Sequence, residues 1–222
     1  MGYKTFIPRD VPYNGKDPKR SKNLKIIAVT GPIASGKTSI SKKLSKISGY
    51  PFWSADSCVQ DLLAQDATIQ QKIRSLFPEI SGKREKALEK DLLRERALRD
   101  VESLRSLEKV LHPAVEKSCR TFIQEARKHN FKGVILEIPL LFEAGLEKEV
   151  DIIILVESSP FYQKRRLLKR SKMTVEQARV FEERLMPLSE KRKKAHIVIK
   201  NGFFLYWSLI KILWGLGKLS SL

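Results

Sequence analysis

Gly31-Pro32-Ile33-Ala34-Ser35-Gly36-Lys37-Thr38 places glycine at its first and sixth positions, followed by a lysine and a hydroxyl residue. That spacing suits a loop wrapped around a phosphate chain. The peptide N–H groups of such a loop point into one concavity at a helix N-terminus, where the helix dipole also favours negative charge. Gly31 and Gly36 permit backbone geometry and close approach that a Cβ would obstruct. Lys37 is long enough to reach β- and γ-phosphates, and the Thr38 hydroxyl is a hard oxygen ligand suited to Mg²⁺. Two carboxylates could complete a phosphoryl-transfer site. Asp56 follows the short segment Pro51-Phe52-Trp53-Ser54 and reads either as a carboxylate beside an acceptor hydroxyl or as the N-cap of the next helix. Glu137, near the end of Val134–Ile138, reads either as a Mg²⁺ holder acting through water or as a polar strand end. Lys164, Arg165, Arg166, Lys169, Arg170 and Lys172 cluster, and Lys191-Arg192-Lys193-Lys194 follow. Each run is either a solvated helix face or a source of positive charge for phosphates.

These residues need elements to hold them. Lys25–Thr30 is a short β-branched run that stops at Gly31, as a strand buried on both faces of a parallel sheet would. Lys37–Ser48 has helical spacing at Ile40, Leu44 and Ile47 and closes at Gly49. Pro51–Ser54, Val134–Ile138, Asp151–Val156 and Ile197–Ile199 are the further strand candidates. From 57 to 130 the chain reads as an almost wholly helical insertion. Ser159-Pro160 offers a cap with proline at the first helical position, and Thr174 with Gln177 a capping box, so 159–187 reads as a two-helix basic lid. Strands alternating with helices predict an α/β fold with a parallel sheet of about five strands flanked by helices. Residues 1–23, rich in proline and basic residues, read as a flexible arm before a domain over 24–222. Phe203–Leu219 is apolar, broken by Lys211, and short for a bilayer span; it is expected to be a helix docked on the sheet.

Composition narrows the classes. Of 222 residues, 42% are hydrophobic and 8% aromatic, enough for a packed interior and against general disorder. A formal charge of +18 implies anionic partners without choosing among phosphates, nucleic acid and acidic lipid. Cys58 and Cys119 lack the spacing of a disulfide framework or a zinc site, which fits a reducing cytosol. The first residues show neither the apolar core of a signal peptide nor, with Phe6 in place of Ser or Thr, a myristoylation signal. No Asn-Lys-x-Asp segment reads guanine, which argues against a GTPase.

Several segments, in order from Lys25 to Gly202, resemble the dephospho-coenzyme A kinase family. Gly31–Thr38, with Ile33 and Ser35, is similar to the family's Gly-Gly-Ile-x-Ser-Gly-Lys-Ser loop. Ser54-Ala55-Asp56 resembles Asp-Ala-Asp, Leu107–Pro113 resembles Leu-Glu-x-x-x-His-Pro, and Pro139-Leu140-Leu141-Phe142-Glu143 matches a run that few other families carry. Gln163, Arg166 and Arg170 resemble the family's lid pattern, and Ala195–Asn201 its closing Ala-Asp-x-x-Ile-x-Asn. Departures are Ser54 for Asp, Gln60 for Arg, Leu185 for Gln and His196 for an Asp near the adenine end. The resemblance implies transfer of the γ-phosphoryl group of ATP, with Mg²⁺, to the ribose 3′-hydroxyl of dephospho-coenzyme A in the cytoplasm, without a specific nucleic-acid partner or a transmembrane segment. It implies catalytic roles for Lys37, Asp56, Arg166 and Arg170. ATP would be bound by Gly31, Ile33, Ala34, Ser35, Gly36, Lys37, Thr38, Ser39 and Asn201, and the metal by Thr38 and Glu137. Asp56, His112, Pro139, Leu140 and Glu143 would meet the acceptor, although His112, next to Pro113, reads equally as a structural helix-start residue. A nucleic-acid or membrane-surface binder with a vestigial loop is the alternative from another class, and a nucleotide or nucleoside kinase of the same fold a third.

Overall fold

A computed structural model describes residues 24–80, 90–170 and 185–201. The basic arm, the capping box at Thr174, the second lid helix and the apolar tail expected above lie outside these. By contacts the chain divides into two compact units, one up to Ser54 and from Glu125 onwards, the other Ala55–Gln124.

The first unit is built on five parallel strands: β1 (Lys25–Thr30), β2 (Phe52–Ser54), β3 (Gly133–Glu137), β4 (Ile152–Glu157) and β5 (Ile197–Lys200), in the order β2-β3-β1-β4-β5. This is the expected α/β sheet. β1 lies at its centre, with Ile27 opposite both Ile135 and Ile152. Every residue of β3 and β4 is buried, as unbroken apolar runs between two covered faces require. β3 and β4 sit one residue off the segments read from sequence. Asp151 precedes β4 and accepts the Ile26 N–H at Oδ2 (2.7 Å), while Glu157 continues the ladder opposite Lys200. Hydrophobicity marked the apolar stretch, but hydrogen bonding sets its ends.

Helix α1 (Lys37–Ser48) packs Ile40 and Leu44, four residues apart, into a core with Ile27, Val29, Ile135, Ile154 and Ile199. Gly49 ends it in the left-handed conformation (φ 72°), returning its N–H to Ser45 O at 2.9 Å. β1 turns into α1, whose chain returns on the β3 side, whereas the neighbouring β4 leads on to β5. The carboxyl ends of β1 and β4 therefore flank the point where open α/β sheets receive ligands. Among the described residues this unit also holds the helices α6 (Pro160–Arg170) and α7 (Leu188–Lys194).

The second unit is helical: α2 (Ala55–Gln65), α3 (Ala67–Leu76), α4 (Lys90–Arg99) and most of α5 (Val101–Lys128). Its buried side chains include Leu62, Ile69, Ile73, Phe77, Ile80, Leu93 and Phe122. Asp66 caps α3 by accepting Ile69 N–H (3.0 Å), and Asp100 accepts Ser103 N–H (2.7 Å) in the turn that opens α5. The Asp100 carboxyl is held below its usual range by hydrogen bonds from the Ser103 N–H and hydroxyl, with Arg96 adding to the effect. Burial pushes the Cys58 thiol up, as suits an inert core cysteine.

Candidate active site

The loop after β1 is shaped by glycine at its two ends. Gly31 has φ 144°, and a Cβ there would fall on the Val156 carbonyl oxygen of β4. Ala34 (φ 57°) and Gly36 (φ 95°) are both left-handed, and Ser35 N–H closes a turn onto Pro32 O at 3.3 Å. Such alternation aims successive peptide N–H groups inward. Gly36 is the cap position of α1 and supplies no side-chain cap, so the first N–H groups of the helix look into the same concavity. Thr38 and Ser39 are exposed in that first turn.

Lys37 is buried and donates from Nζ to Gly31 O (2.9 Å) and Pro32 O (2.8 Å), so its ammonium lies within the loop. The Thr38 hydroxyl donates to Glu137 Oε1 at 2.6 Å, which brings together the two residues read as the metal pair. A buried carboxylate and a hydroxyl, both hard oxygen donors, fit Mg²⁺, which is ordinarily held by one or two protein groups together with substrate phosphates and water.

From the other side of the loop, the Gln163 side chain donates to Ile33 O (2.9 Å), and Arg166 Nη1 to Ala34 O (3.3 Å), Ser35 O (3.1 Å) and Ser158 Oγ (3.3 Å). Asn201, buried just after β5, gives its backbone N–H to Glu157 O (2.6 Å) and its side-chain N–H to Ser35 O (2.7 Å). Arg170 is the last residue of α6, and its side chain lies outside the described ones. His196, by contrast, precedes β5 and so lies at the amino end of that strand. There its Nδ1 accepts Ile153 N–H at 3.0 Å, so this departure from the family pattern supports strand pairing and does not stand near the nucleotide end.

Thr30 Oγ1 donates to Pro139 O (3.0 Å), tying the Pro139–Glu143 run to β1. Leu141 and Phe142 are buried anchors, leaving Pro139 and Leu140 half-buried. Glu143 Oε1 accepts both Lys191 Nζ (2.8 Å) and Met186 N–H (3.0 Å), which binds this run to the chain returning into α7. Arg192 grips the buried Glu157 with two bonds, 2.6 and 2.9 Å, and this partner raises the guanidinium pKa further. Lys193 pairs with Glu190 (2.8 Å), and Lys194 with Glu147 (3.6 Å) while lying over the Phe142 ring. Glu157 and Ser158 were not singled out from sequence, and Lys191 was read only as a member of a basic run. Their only signal was a carboxylate at a strand end and an uninterrupted basic run.

In the second unit, Asp56 is exposed and is the second residue of α2, so it lies inside the first turn and the position before the helix is Ser54. The capping reading of Asp56 is thereby corrected, although a carboxylate there still gains from the helix dipole. His112 is exposed and stands in mid-α5, which continues through Pro113. It does not start a helix, because neighbouring turns hold α5 together across the proline.

A phosphate-cradling loop at the switch point of a five-stranded parallel sheet, with a lysine, a hydroxyl and a buried carboxylate converging on it, defines a P-loop kinase. Residues 25–204 match the family model for dephospho-CoA kinase. The chain belongs to the dephospho-CoA kinase family. It is 35% identical over 177 residues to the dephospho-CoA kinase of Zymomonas mobilis, covering 80% of this chain and 87% of that one. A Rhodopseudomonas palustris dephospho-CoA kinase is 32% identical over 176 residues, covering 78% and 85%. Among solved structures, protein TT1252 of Thermus thermophilus superposes with a TM-score of 0.71 and 33% identity over 90% of this chain and 99% of that chain. The Campylobacter jejuni dephospho-CoA kinase superposes at 0.63 with 27% identity, over 88% and 98%. No helix among the described residues is long and apolar enough to cross a membrane.

Proposed function

We propose that this chain transfers the γ-phosphoryl group of MgATP to the ribose 3′-hydroxyl of dephospho-CoA, giving CoA and ADP. The observation that carries the donor half is the loop in which Lys37 is folded inward and Thr38 meets Glu137. Family membership supports the acceptor. Gly31 to Ser39 would hold the triphosphate, with Lys37 reaching its β- and γ-phosphates and Arg166 placing positive charge beside the loop. Thr38 and Glu137 would hold Mg²⁺, which when bound neutralises charge shared by the β- and γ-phosphates. The 3′-oxygen bonds to the γ-phosphorus as the bond to the β–γ bridging oxygen breaks, and the hydroxyl proton passes to a carboxylate.

Asp56 is our candidate for that carboxylate, supported by its match to the second Asp of the family's Asp-Ala-Asp and by the loss of its capping explanation. Pro139, Leu140 and His112 are assigned to the acceptor on the same resemblance. Asp56→Asn should melt within a few degrees of wild type and bind ATP normally, yet lose on the order of 10²-fold or more in turnover, the low end of what a positioned acid or base contributes. The function itself is tested by a coupled ADP-release assay with dephospho-CoA, adenosine, AMP and shikimate as acceptors. We expect Mg²⁺-dependent turnover with dephospho-CoA alone; equal turnover with the simpler acceptors would overturn the assignment.

A further inference from the structure

Three consecutive carbonyls of the phosphate loop, those of Ile33, Ala34 and Ser35, are each taken by a side-chain donor from outside the loop. Gln163 and Arg166 supply them from α6 and Asn201 from the end of β5. When the N–H groups of a loop turn inward to a phosphate, its carbonyls must turn outward, and outward carbonyls left without donors would favour a different loop conformation. Gly36 fits the same arrangement: a Cβ there would land on Asn201 Nδ2 and come within 3.2 Å of Arg166 Nη1. The absent side chain leaves the space in which these donors reach Ser35 O.

We propose that Gln163, Arg166 and Asn201 form a carbonyl clasp that holds the loop in its phosphate-receiving shape, and that Asn201 is a positioning residue for the polyphosphate, not a reader of the nucleotide base. Both N–H groups that Asn201 is seen to donate are directed at the protein backbone. Its effect therefore passes through the loop and is felt by anything with a phosphate chain. This rests on the donor half of the function proposed above and is independent of the acceptor.

The test is equilibrium binding of inorganic tripolyphosphate, MgATP and MgGTP to the full chain, wild type against Asn201→Ala and Gln163→Ala, with melting temperatures. Removing one donor lowers the fraction of loops in the receptive shape, and apparent affinity falls by that fraction. From the ordinary worth of one hydrogen bond we expect about three- to tenfold weaker binding, by the same factor for all three ligands. Tripolyphosphate lacks a base, so a loss confined to MgATP, or a change in the ATP-to-GTP ratio with tripolyphosphate unaffected, would overturn the clasp in favour of base reading. Unchanged binding of all three would overturn it as well. Gln163→Ala, on a half-buried helix position, decides the matter if Asn201→Ala fails to fold. Wild-type protein that binds neither tripolyphosphate nor MgATP would overturn the donor half of the function itself, and the clasp with it.

Discussion

Two basic runs that look alike in sequence meet different partners in the fold. On α7, each of Lys191, Arg192, Lys193 and Lys194 faces a carboxylate: Glu143, Glu157, Glu190 and Glu147 in turn. On α6, Arg166 is bonded to two loop carbonyls and the Ser158 hydroxyl. A carboxylate cancels a cation's charge, whereas a carbonyl or hydroxyl only orients it. The α7 run therefore joins β4, the Pro139–Glu143 run and the returning chain, while Arg166 brings a full positive charge to the phosphate loop. A count of +18 does not separate these roles, and the paired α7 run weakens the case for a nucleic-acid-binding surface there.

Lys191→Met removes the buried cation that meets Glu143; a fully buried pair broken in this way costs about 3–5 kcal/mol, and because water still reaches Glu143 we expect a loss of about 2 kcal/mol in urea unfolding. Loss below about 1 kcal/mol would mean that α7 does not depend on this bond. Arg166→Ala should lower turnover about 10²-fold, as removing one preorganised donor does, with little change in the urea midpoint. A stability loss matching that of Lys191→Met would erase the distinction between the runs. Lys193→Ala, on an exposed pair within α7, should change stability by about 0.5 kcal/mol or less and leave turnover within about twofold. A larger fall in turnover would show that the charge at 193 also serves phosphate.

Part of the site could be read from the chain because it is local. Gly31 to Thr38 and the flanking β1 and α1 are contiguous, so strand, loop and helix arise from periodicity and spacing within one stretch. Asp56 was harder: its neighbourhood permitted a cap, and only the start of α2 at Ala55 removed that reading. His112 next to Pro113 also resembled a boundary, yet α5 runs through both. Glu143 was assigned to the acceptor from its motif, but its observed partners are Lys191 and Met186, more than forty residues away in the chain.

The sequence alone determined that the chain builds a parallel α/β sheet carrying a phosphate loop, and its separated motifs pointed to one kinase family. Both depend on short-range patterns, namely apolar periodicity and residue spacing along adjoining elements. Only the tertiary structure decided which cations are spent on carboxylates, that Glu137 lies against Thr38, and that Asn201 reaches Ser35 O from a strand whose contact is 166 residues distant. Those pairings follow from the strand order, which sets β3 and β4 on either side of β1, with β5 next to β4, and gathers their carboxyl ends around one loop. A charge or an amide carries no mark of its partner until the sheet has placed the two within hydrogen-bonding distance.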